Sequence, residues 1–304
     1  MASFPPPHVV EDVPPFLQIL SDGTVIRFED SYPLPLPTPP PGQPVVQWKD
    51  VVYDASHDPC KLRVYRPQAA SSSTSTGKKL PVIVYYHGGG YIMGSFDMPN
   101  FHNCCLRLAG ELPAVVLSAD YRLAPEHPLP AGLDDAANVL RWVRGQAVAA
   151  PEDADPWLAG LSDFGRVFVA GDSAGGGVVH HTAVRLASGL VGRLDPVRVR
   201  GHVMLFPLFG GVERTASELE LPSGPFLSLP VTDKGWRILL PPGSTRDHPF
   251  GPERPAMDGL ALPPMLVVVA EYDLLCDRTA DYVARLKAMG KSVDLVKLDR
   301  KSVV

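Results

Sequence analysis

The sequence has little cysteine and no long apolar run. Its four cysteines show no Cys-x-x-Cys spacing, and a disulfide framework is not expected in a chain of this size. No apolar stretch reaches the roughly 18 residues that a membrane span needs; the best candidate, 262–270, has the length of a strand. Residues 1–20 contain no Lys or Arg and do not resemble a secretory signal. We expect a soluble protein of a reducing compartment, the cytoplasm, with the nucleus as a further possibility.

The chain also lacks an excess of positive charge. Its 304 residues carry a net charge of −5, and the pI is about 6.0. This balance gives no electrostatic reason to expect a nucleic acid or an anionic membrane as a partner. Hydrophobic residues make up 45% of the chain, enough to bury a large core, and α/β enzymes of this length often form one domain. We predict a single domain and leave its oligomeric state open.

Strand and helix patterns alternate from residue 45 onward. Runs rich in β-branched and aromatic residues predict eight strands, at 45–53, 62–65, 82–86, 114–119, 167–170, 203–206, 265–269 and 293–298. Amphipathic segments predict helices between them, near 100–111, 132–147, 175–189 and 277–289. Several of the strands are continuous apolar runs, which indicates burial on both faces. We therefore predict an α/β fold with a mostly parallel eight-stranded sheet and helices on both faces.

Two segments fall outside this alternation. Residues 1–44 form an N-terminal arm, in which the proline-rich stretch Pro33–Pro41 must be extended. Residues 207–261 are rich in Pro and Gly and are inserted after a strand, where α/β enzymes bind ligands, so they predict a cap. The remaining residues, 45–206 and 262–304, form the catalytic core.

Two details concern loops and the cap. The Ser- and Thr-rich segment Ser71–Lys79 lies between two predicted strands and is expected to tip a hairpin. A short amphipathic piece, Val231–Leu240, predicts a helix in the cap. The cap residues that suggest a hydrophobic ligand are Phe209, Phe226, Leu227, Trp236 and Ile238.

Residues 171–176 read Gly-Asp-Ser-Ala-Gly-Gly and follow the predicted strand 167–170. A G-x-S-x-G sequence between a strand and a helix forms a sharp turn that exposes its serine as a nucleophile. The helix that begins after Ser173 directs its positive end toward a developing oxyanion, to which the Ala174 N–H can donate. The alternative is a Gly-rich turn in which Ser173 only caps the helix.

A second motif, His87-Gly88-Gly89-Gly90, follows the predicted strand 82–86. Consecutive glycines let backbone N–H groups approach a tetrahedral oxygen, and each such donor is worth roughly 10²–10³ in rate. We predict that His87 supports the loop structurally and is not the catalytic base. No G-x-G-x-x-G sequence with an acidic ribose ligand is present. Neither a metal nor an organic cofactor is implied.

Together these motifs resemble the hormone-sensitive-lipase-like carboxylesterases of the α/β-hydrolase fold, particularly their plant branch. The resemblance is carried by 87–90, by Asp120–His127 and by 171–176, and Ala270–Asp277 is similar to the family's acid-bearing D-x-L-x-D turn. It extends over nearly the whole chain. It implies hydrolysis of a small-molecule carboxylic ester by acyl transfer through a serine.

The resemblance also implies the site residues. Ser173 is the nucleophile, and Gly88, Gly89, Gly90 and Ala174 form the oxyanion hole. Asp273, just beyond the predicted strand 265–269, is the triad acid, and Asp277 is the less favoured choice. By spacing alone, Asp273 is equally well explained as a helix N-cap.

The catalytic base is missing from this pattern. The order of the triad in this fold is Ser…Asp…His, but the last histidine of the sequence is His248. The family pattern places the base near Val303 and follows it with a closing helix, so we expect a truncated or altered C-terminus. His180 and His181 lie on the helix behind the elbow and are not expected to reach Ser173.

The missing base has two predicted consequences. A serine without a base keeps an alcohol's pKa and is a poor nucleophile, so the chain is predicted to be weakly active or inactive. Without the closing helix, the last strands are expected to expose an apolar patch.

Two other functions remain as alternatives. Gibberellin receptors resemble this family, keep the serine and replace the histidine with an aliphatic residue, as Val303 would suggest. Against this, those receptors have Ser where this chain has Gly90, and their N-terminal lid sequence is absent. The other alternative, a scaffold that binds partners through Pro33–Pro41, depends on composition alone.

Overall fold

The computed structural model describes residues 6–28, 45–56, 60–68, 79–222, 224, 227–246 and 257–299. Its strands are β1 (Val9–Val13), β2 (Leu17–Leu20), β3 (Val25–Arg27), β4 (Val46–Asp54), β5 (Cys60–Pro67), β6 (Leu80–Tyr86), β7 (Val115–Ala119), β8 (Ser162–Asp172), β9 (Val199–Leu205), β10 (Met265–Ala270) and β11 (Val293–Leu298). Its helices are α1 (Pro99–Glu111), α2 (Ala131–Val148), α3 (Pro156–Ala159), α4 (Ala174–Ala187), α5 (Ala216–Glu220), α6 (Leu229–Leu239) and α7 (Cys276–Ala288).

Eight of these strands form one sheet in the order β11-β10-β9-β8-β6-β7-β5-β4. The pairs from β7 through β6, β8, β9 and β10 to β11 are parallel, while β4 and β5 are antiparallel to their neighbours. The predicted α/β fold with a mostly parallel eight-stranded sheet is confirmed. The carboxyl ends of β6, β8 and β10 share one edge, and the Gly-rich loop, Ser173 and Asp273 follow these strands.

One loop prediction is wrong. Residues 71–79 do not tip a hairpin, because β5 and β6 are not neighbours: β7 lies between them, antiparallel to β5 and parallel to β6. The connection is therefore a crossover. Residues 69–78 themselves, like the proline-rich stretch 33–41, lie outside the described residues.

The N-terminal arm contains a small antiparallel sheet of β1, β2 and β3, which the sequence analysis does not predict. This sheet lies against the cap helix α6, where Lys234 Nζ donates to the Asp12 carbonyl at 2.5 Å and Arg237 pairs with Glu11 at 2.9 Å. Phe16 and Leu17 are buried in the main core. The arm is thus packed onto the cap and the core.

The two faces of the last strands differ in burial. Met265, Val267 and Val269 of β10 are buried, and Met265 and Val267 belong to the main core. On the opposite face Leu266 is 37% exposed and Val296 of β11 is 42% exposed. These two apolar side chains lie where the sequence analysis expects an uncovered patch. No helix in the described part of the chain is long and apolar enough to cross a membrane.

Candidate active site

Ser173 is the single residue between β8 and α4 and lies in a sharp turn. Its φ of 49° and ψ of −115° are unusual for a residue with a side chain, and such a conformation costs about 1–3 kcal/mol. Three backbone hydrogen bonds hold it: the Ser173 N–H donates to Leu205 O at 2.8 Å, and its carbonyl accepts from Leu208 N at 2.8 Å and from Gly177 N at 3.2 Å. The surrounding structure therefore fixes the serine in its strained position.

Close backbone packing explains the glycines on either side of the serine. A Cβ at Gly171 would lie 2.6 Å from the Gly175 carbonyl and 2.8 Å from Tyr86 O, and a Cβ at Gly175 would collide with the same Tyr86 oxygen. The turn thus packs directly on the end of β6. Ala174, the first residue of α4, is buried, and its N–H belongs to the unpaired amides of a helix start.

The Gly-rich loop after β6 lies against this turn. Gly89 has a φ of 116° and Gly90 a φ of 62°, values that suit glycine. Gly89 O accepts hydrogen bonds from the N–H groups of Ile92 and Met93, both at 3.1 Å, so the loop is tightly wound. A Cβ at Gly88 would lie 3.2 Å from the Cβ of Ser173. The two motifs therefore meet in space.

His87 is buried beneath the Gly-rich loop, and its Nδ1 lies 2.7 Å from Gly88 O. Its ring stacks on Tyr121 at 4.5 Å, and the Tyr121 hydroxyl donates to His87 O at 2.8 Å. Burial lowers the pKa of His87 to about 4, so the ring is neutral at pH 7 and its Nδ1–H donates to Gly88 O. These contacts hold the loop and place His87 outside the cavity described below.

Asp172 is a residue that sequence reasoning missed. Its side chain is buried, and Oδ1 accepts a hydrogen bond from the Tyr85 hydroxyl at 2.6 Å. Burial raises the pKa of this carboxyl to about 6. Its Oδ2 lies so close to Gly88 that a Cβ there would collide with it. Asp172 therefore links β6, the Gly-rich loop and the serine turn; its position next to Ser173 was the only signal in the sequence.

The two candidate acids have different surroundings. Asp273 follows β10, is 5% exposed, and its Oδ1 accepts from Leu275 N at 2.9 Å. The cap residue of α7 is Leu275, not Asp273. The carboxylate of Asp277 accepts from Ser217 N of α5 at 2.7 Å and so joins α7 to the cap. Only Asp273 of the two lines the cavity that contains Ser173.

One cavity of about 210 Å³ brings Ser173, Gly89, Gly90 and Asp273 together. Most of its other lining side chains are apolar and come from the N-terminal sheet, the Gly-rich loop and the cap, including Phe16, Ile92, Met93, Leu227, Val231, Trp236 and Leu239.

Two of the predicted cap residues, Leu227 and Trp236, line this cavity. Phe209 does not, because it packs on Tyr282 with ring centroids 4.5 Å apart. Ile238 does not either and packs against the core. Phe226 lies outside the described residues.

No histidine is among the described residues that line the cavity. His180 is buried in α4, with Nδ1 2.9 Å from the Tyr282 hydroxyl. His248 and Val303, the last histidine and the expected place of the base, lie outside the described residues. Among the residues that the structure describes, no cluster of His, Cys, Asp or Glu is arranged to hold a metal ion.

A serine in a strained strand-to-helix turn, beside a Gly-rich loop at the carboxyl edge of this sheet, defines the class of α/β hydrolases. The sequence model of the α/β-hydrolase fold family matches residues 83–302. The chain is 37% identical over 240 residues to a 3-O-acetylpapaveroxine carboxylesterase of Papaver somniferum, covering 77% of this chain and 76% of the relative. It is 34% identical over 299 residues to Carboxylesterase 20 of Arabidopsis thaliana, covering 94% and 88%.

Two further comparisons bear on the same site. A gibberellin receptor of Arabidopsis thaliana is 39% identical over 254 residues, covering 79% of this chain and 70% of the receptor. A solved esterase of Pyrobaculum calidifontis superposes with a TM-score of 0.67 at 32% identity, covering 86% of this chain and 78% of the esterase. The chain belongs to the α/β-hydrolase family and, within it, to the plant carboxylesterases of the hormone-sensitive-lipase-like branch.

Proposed function

We propose that the protein hydrolyses carboxylic esters through Ser173. The single observation that carries this proposal is that the serine turn, Gly89 and Gly90 and the buried Asp273 line one apolar cavity. Attack of Ser173 Oγ on the ester carbonyl forms a tetrahedral oxyanion, which the N–H groups of the Gly-rich loop and of Ala174 stabilise. Loss of the alcohol leaves an acyl-enzyme, and water then releases the acid.

The cavity supports small to medium hydrophobic esters as substrates. Most of its lining side chains are aromatic or aliphatic, and none of the described lining residues is cationic. A cavity of about 210 Å³ exceeds the roughly 150 Å³ that accommodates benzene in an engineered core. A short acyl group or a single aromatic ring therefore fits beside Ser173.

The lining of the same cavity supports the proposal that this chain hydrolyses esters slowly. Ser173 loses a proton when it attacks, and no described lining residue is a histidine that would accept it. In subtilisin, removal of the catalytic histidine lowers kcat by about 10⁶, and the residual rate comes from the oxyanion hole and binding. The chain is accordingly an esterase by descent whose turnover is limited by proton transfer.

Both the nucleophile and the slow rate are tested by hydrolysis of p-nitrophenyl butyrate. The assay compares the purified chain with its Ser173→Ala and His248→Ala variants. We expect a slow hydrolysis that Ser173→Ala abolishes and His248→Ala leaves unchanged. A rate typical of esterases, with kcat near 10 s⁻¹ or above, would refute the predicted slow turnover but would still support ester hydrolysis. A slow rate that persists in Ser173→Ala would refute the nucleophile itself.

A second candidate is binding of a small apolar ligand without turnover. The observation that favours it is the same apolar cavity together with the similarity to a gibberellin receptor. Calorimetric titration with gibberellins at two temperatures decides, because burial of an apolar ligand changes the binding enthalpy with temperature. Saturable binding that Trp236→Ala weakens supports a receptor, and no heat of binding at either temperature excludes it.

A further inference from the structure

Arg27, at the end of β3, joins the N-terminal sheet to two loops of the core. Its Nε donates to Ile92 O at 3.2 Å, and one terminal nitrogen donates to Ala124 O at 3.0 Å. Both terminal nitrogens also pair with the Glu126 carboxylate, at 2.5 and 2.7 Å. The hydrogen bond from Arg27 lowers the pKa of Glu126. A planar guanidinium suits such a fork, whereas a lysine ammonium does not.

The loop that Arg27 holds is the continuation of the Gly-rich loop. Ile92 N–H is bonded to Gly89 O, and the Ile92 side chain lines the cavity. A further backbone hydrogen bond joins this loop to the loop that contains Ala124, because the Ala124 N–H donates to Tyr91 O at 2.9 Å. Arg27 therefore binds the carbonyl of Ile92 and the carbonyl of Ala124 while these two loops are bonded to each other.

We propose that Arg27 is a positioning residue for the oxyanion hole: by holding Ile92 O and Ala124 O it fixes the turn that presents Gly89 and Gly90 to the cavity. Through this residue the docking of the N-terminal sheet sets the geometry of the Gly-rich loop. The proposal rests on the proposed function for its consequence in catalysis, but the loop order that it requires is measurable without turnover.

The chain offers a matched control for this role. Arg237 of α6 also ties the N-terminal sheet to the rest of the protein, through Glu11 of β1 at 2.9 Å. Within the described part of the chain it makes no hydrogen bond to the Gly-rich loop, and its side chain is 62% exposed. Arg237→Met therefore removes a contact between the N-terminal sheet and α6, whereas Arg27→Met removes the contacts between the same sheet and the Gly-rich loop.

The first experiment measures hydrogen exchange of a peptide that spans Gly88–Met93, whose amides of Ile92 and Met93 are bonded to Gly89 O. Exchange should be at least tenfold faster in Arg27→Met and in Arg27→Lys, and unchanged in Arg237→Met. Glu126→Gln, which keeps the shape of the partner, should give a smaller increase. Equal exchange in Arg27→Met and the unmodified chain would overturn the proposal, as would equal acceleration in Arg237→Met.

The second experiment measures binding of 2-phenylethylboronic acid and of 3-phenylpropan-1-ol by tryptophan fluorescence. The boronic acid forms a B–O bond to Ser173 Oγ as the hydroxyl proton leaves to water, and the anionic tetrahedral adduct needs the oxyanion donors. Arg27→Met should weaken the boronic acid at least tenfold and the alcohol less than twofold. Equal weakening of both ligands would show a general loss of the pocket and overturn the proposal.

The two experiments separate the failure of this proposal from the failure of the proposed function. If the boronic acid binds the unmodified chain and Ser173→Ala equally, Ser173 is not the nucleophile, and the proposed function fails. The exchange experiment then still supports or refutes the positioning of the loop by Arg27.

Discussion

Replacing His202 by leucine should make the protein less sensitive to acid. His202 lies in β9, in register with Val169 of β8 and with Met265 of β10. Its side chain is 1% exposed, and neither ring nitrogen has a hydrogen-bond partner among the described residues. Burial lowers the pKa of this histidine to about 4, from 6.5 in an unfolded chain.

The sign of the effect follows from this lowered pKa. Between pH 6.5 and pH 4 the unfolded chain binds a proton at His202 that the folded chain does not bind. The contribution of neutral His202 to the free energy of unfolding is therefore fully present above pH 6.5 and is lost as the pH falls. The gap of about 2.5 pH units, at about 1.4 kcal/mol per unit, limits the loss to about 3 kcal/mol. At pH 5 the loss from this one side chain is about 2 kcal/mol.

Urea unfolding at pH 7.5 and pH 5 measures this loss. The unmodified chain should lose about 2 kcal/mol more between these two values than His202→Leu does. Other buried groups shift stability in both directions, since burial lowers the pKa of His87 and raises that of Asp120. Those contributions are common to both proteins and cancel in the difference.

The control for this experiment is His8→Leu, which changes an exposed histidine and should leave the loss between pH 7.5 and pH 5 unchanged. At pH 7.5, His202→Leu should be as stable as the unmodified chain or more stable, because it removes two unpaired buried nitrogens. An equal loss on acidification in His202→Leu and the unmodified chain would refute the assignment of a buried, neutral His202.

The remaining predictions concern the site and the exposed sheet face. Gly89→Ala should lower the slow ester hydrolysis by about 10²–10³, because its Cβ would collide with Met93 O and displace an oxyanion donor; initial rates measure this, and Gly145→Ala, where the space is open, should keep the full rate. Leu266→Ala should cost less than about 1 kcal/mol in urea unfolding, whereas Leu117→Ala, fully buried in β7, should cost about 2–5 kcal/mol; similar costs would contradict an uncovered face. Excess imidazole should raise the rate of p-nitrophenyl butyrate hydrolysis beyond its effect on Ser173→Ala, since it supplies a base next to Ser173; an equal increase in both proteins would mean that the cavity does not admit it.

The sequence predicts the central sheet well because its signals are local. Val115-Val116-Leu117 is a continuous apolar run, and in the structure all three residues are fully buried in β7. β8 begins at Ser162, five residues before its predicted start. These first five residues read Ser-Asp-Phe-Gly-Arg, with Phe164 as the one large apolar side chain, and all but Ser162 are only partly buried. No apolar run therefore marks the start of the strand.

The N-terminal sheet could not be predicted in the same way. β1 contains Glu11 and Asp12 in its middle and is followed by two prolines, which weakens any strand pattern. Three strands of three to five residues are not stable alone. They are held by burial of Phe16 and Leu17 in the core and by contacts with α6, contacts between residues more than 200 positions apart in the chain.

The site shows the same division between local and distant information. Ser173 and the glycines were predicted because the turn and the loop demand particular residue types at adjacent positions. No role was predicted for Asp172 or Arg27, because the partners of their side chains lie far away in the sequence. Asp172 depends on Tyr85, 87 positions away, and Arg27 on Glu126, 99 positions away.

These contacts separate the two tasks that an esterase site performs. In the proposed mechanism, stabilisation of the oxyanion depends on backbone amides. Hydrogen bonds hold the two segments that carry these amides: Ser173 bonds to Leu205 and Leu208, and the Gly-rich loop bonds to His87 and Arg27. Removal of the serine proton depends on a separate basic side chain. None of the described residues that line the cavity is a histidine. A site of this kind should bind tetrahedral anions tightly and turn over esters slowly, because preorganised donors act without proton transfer.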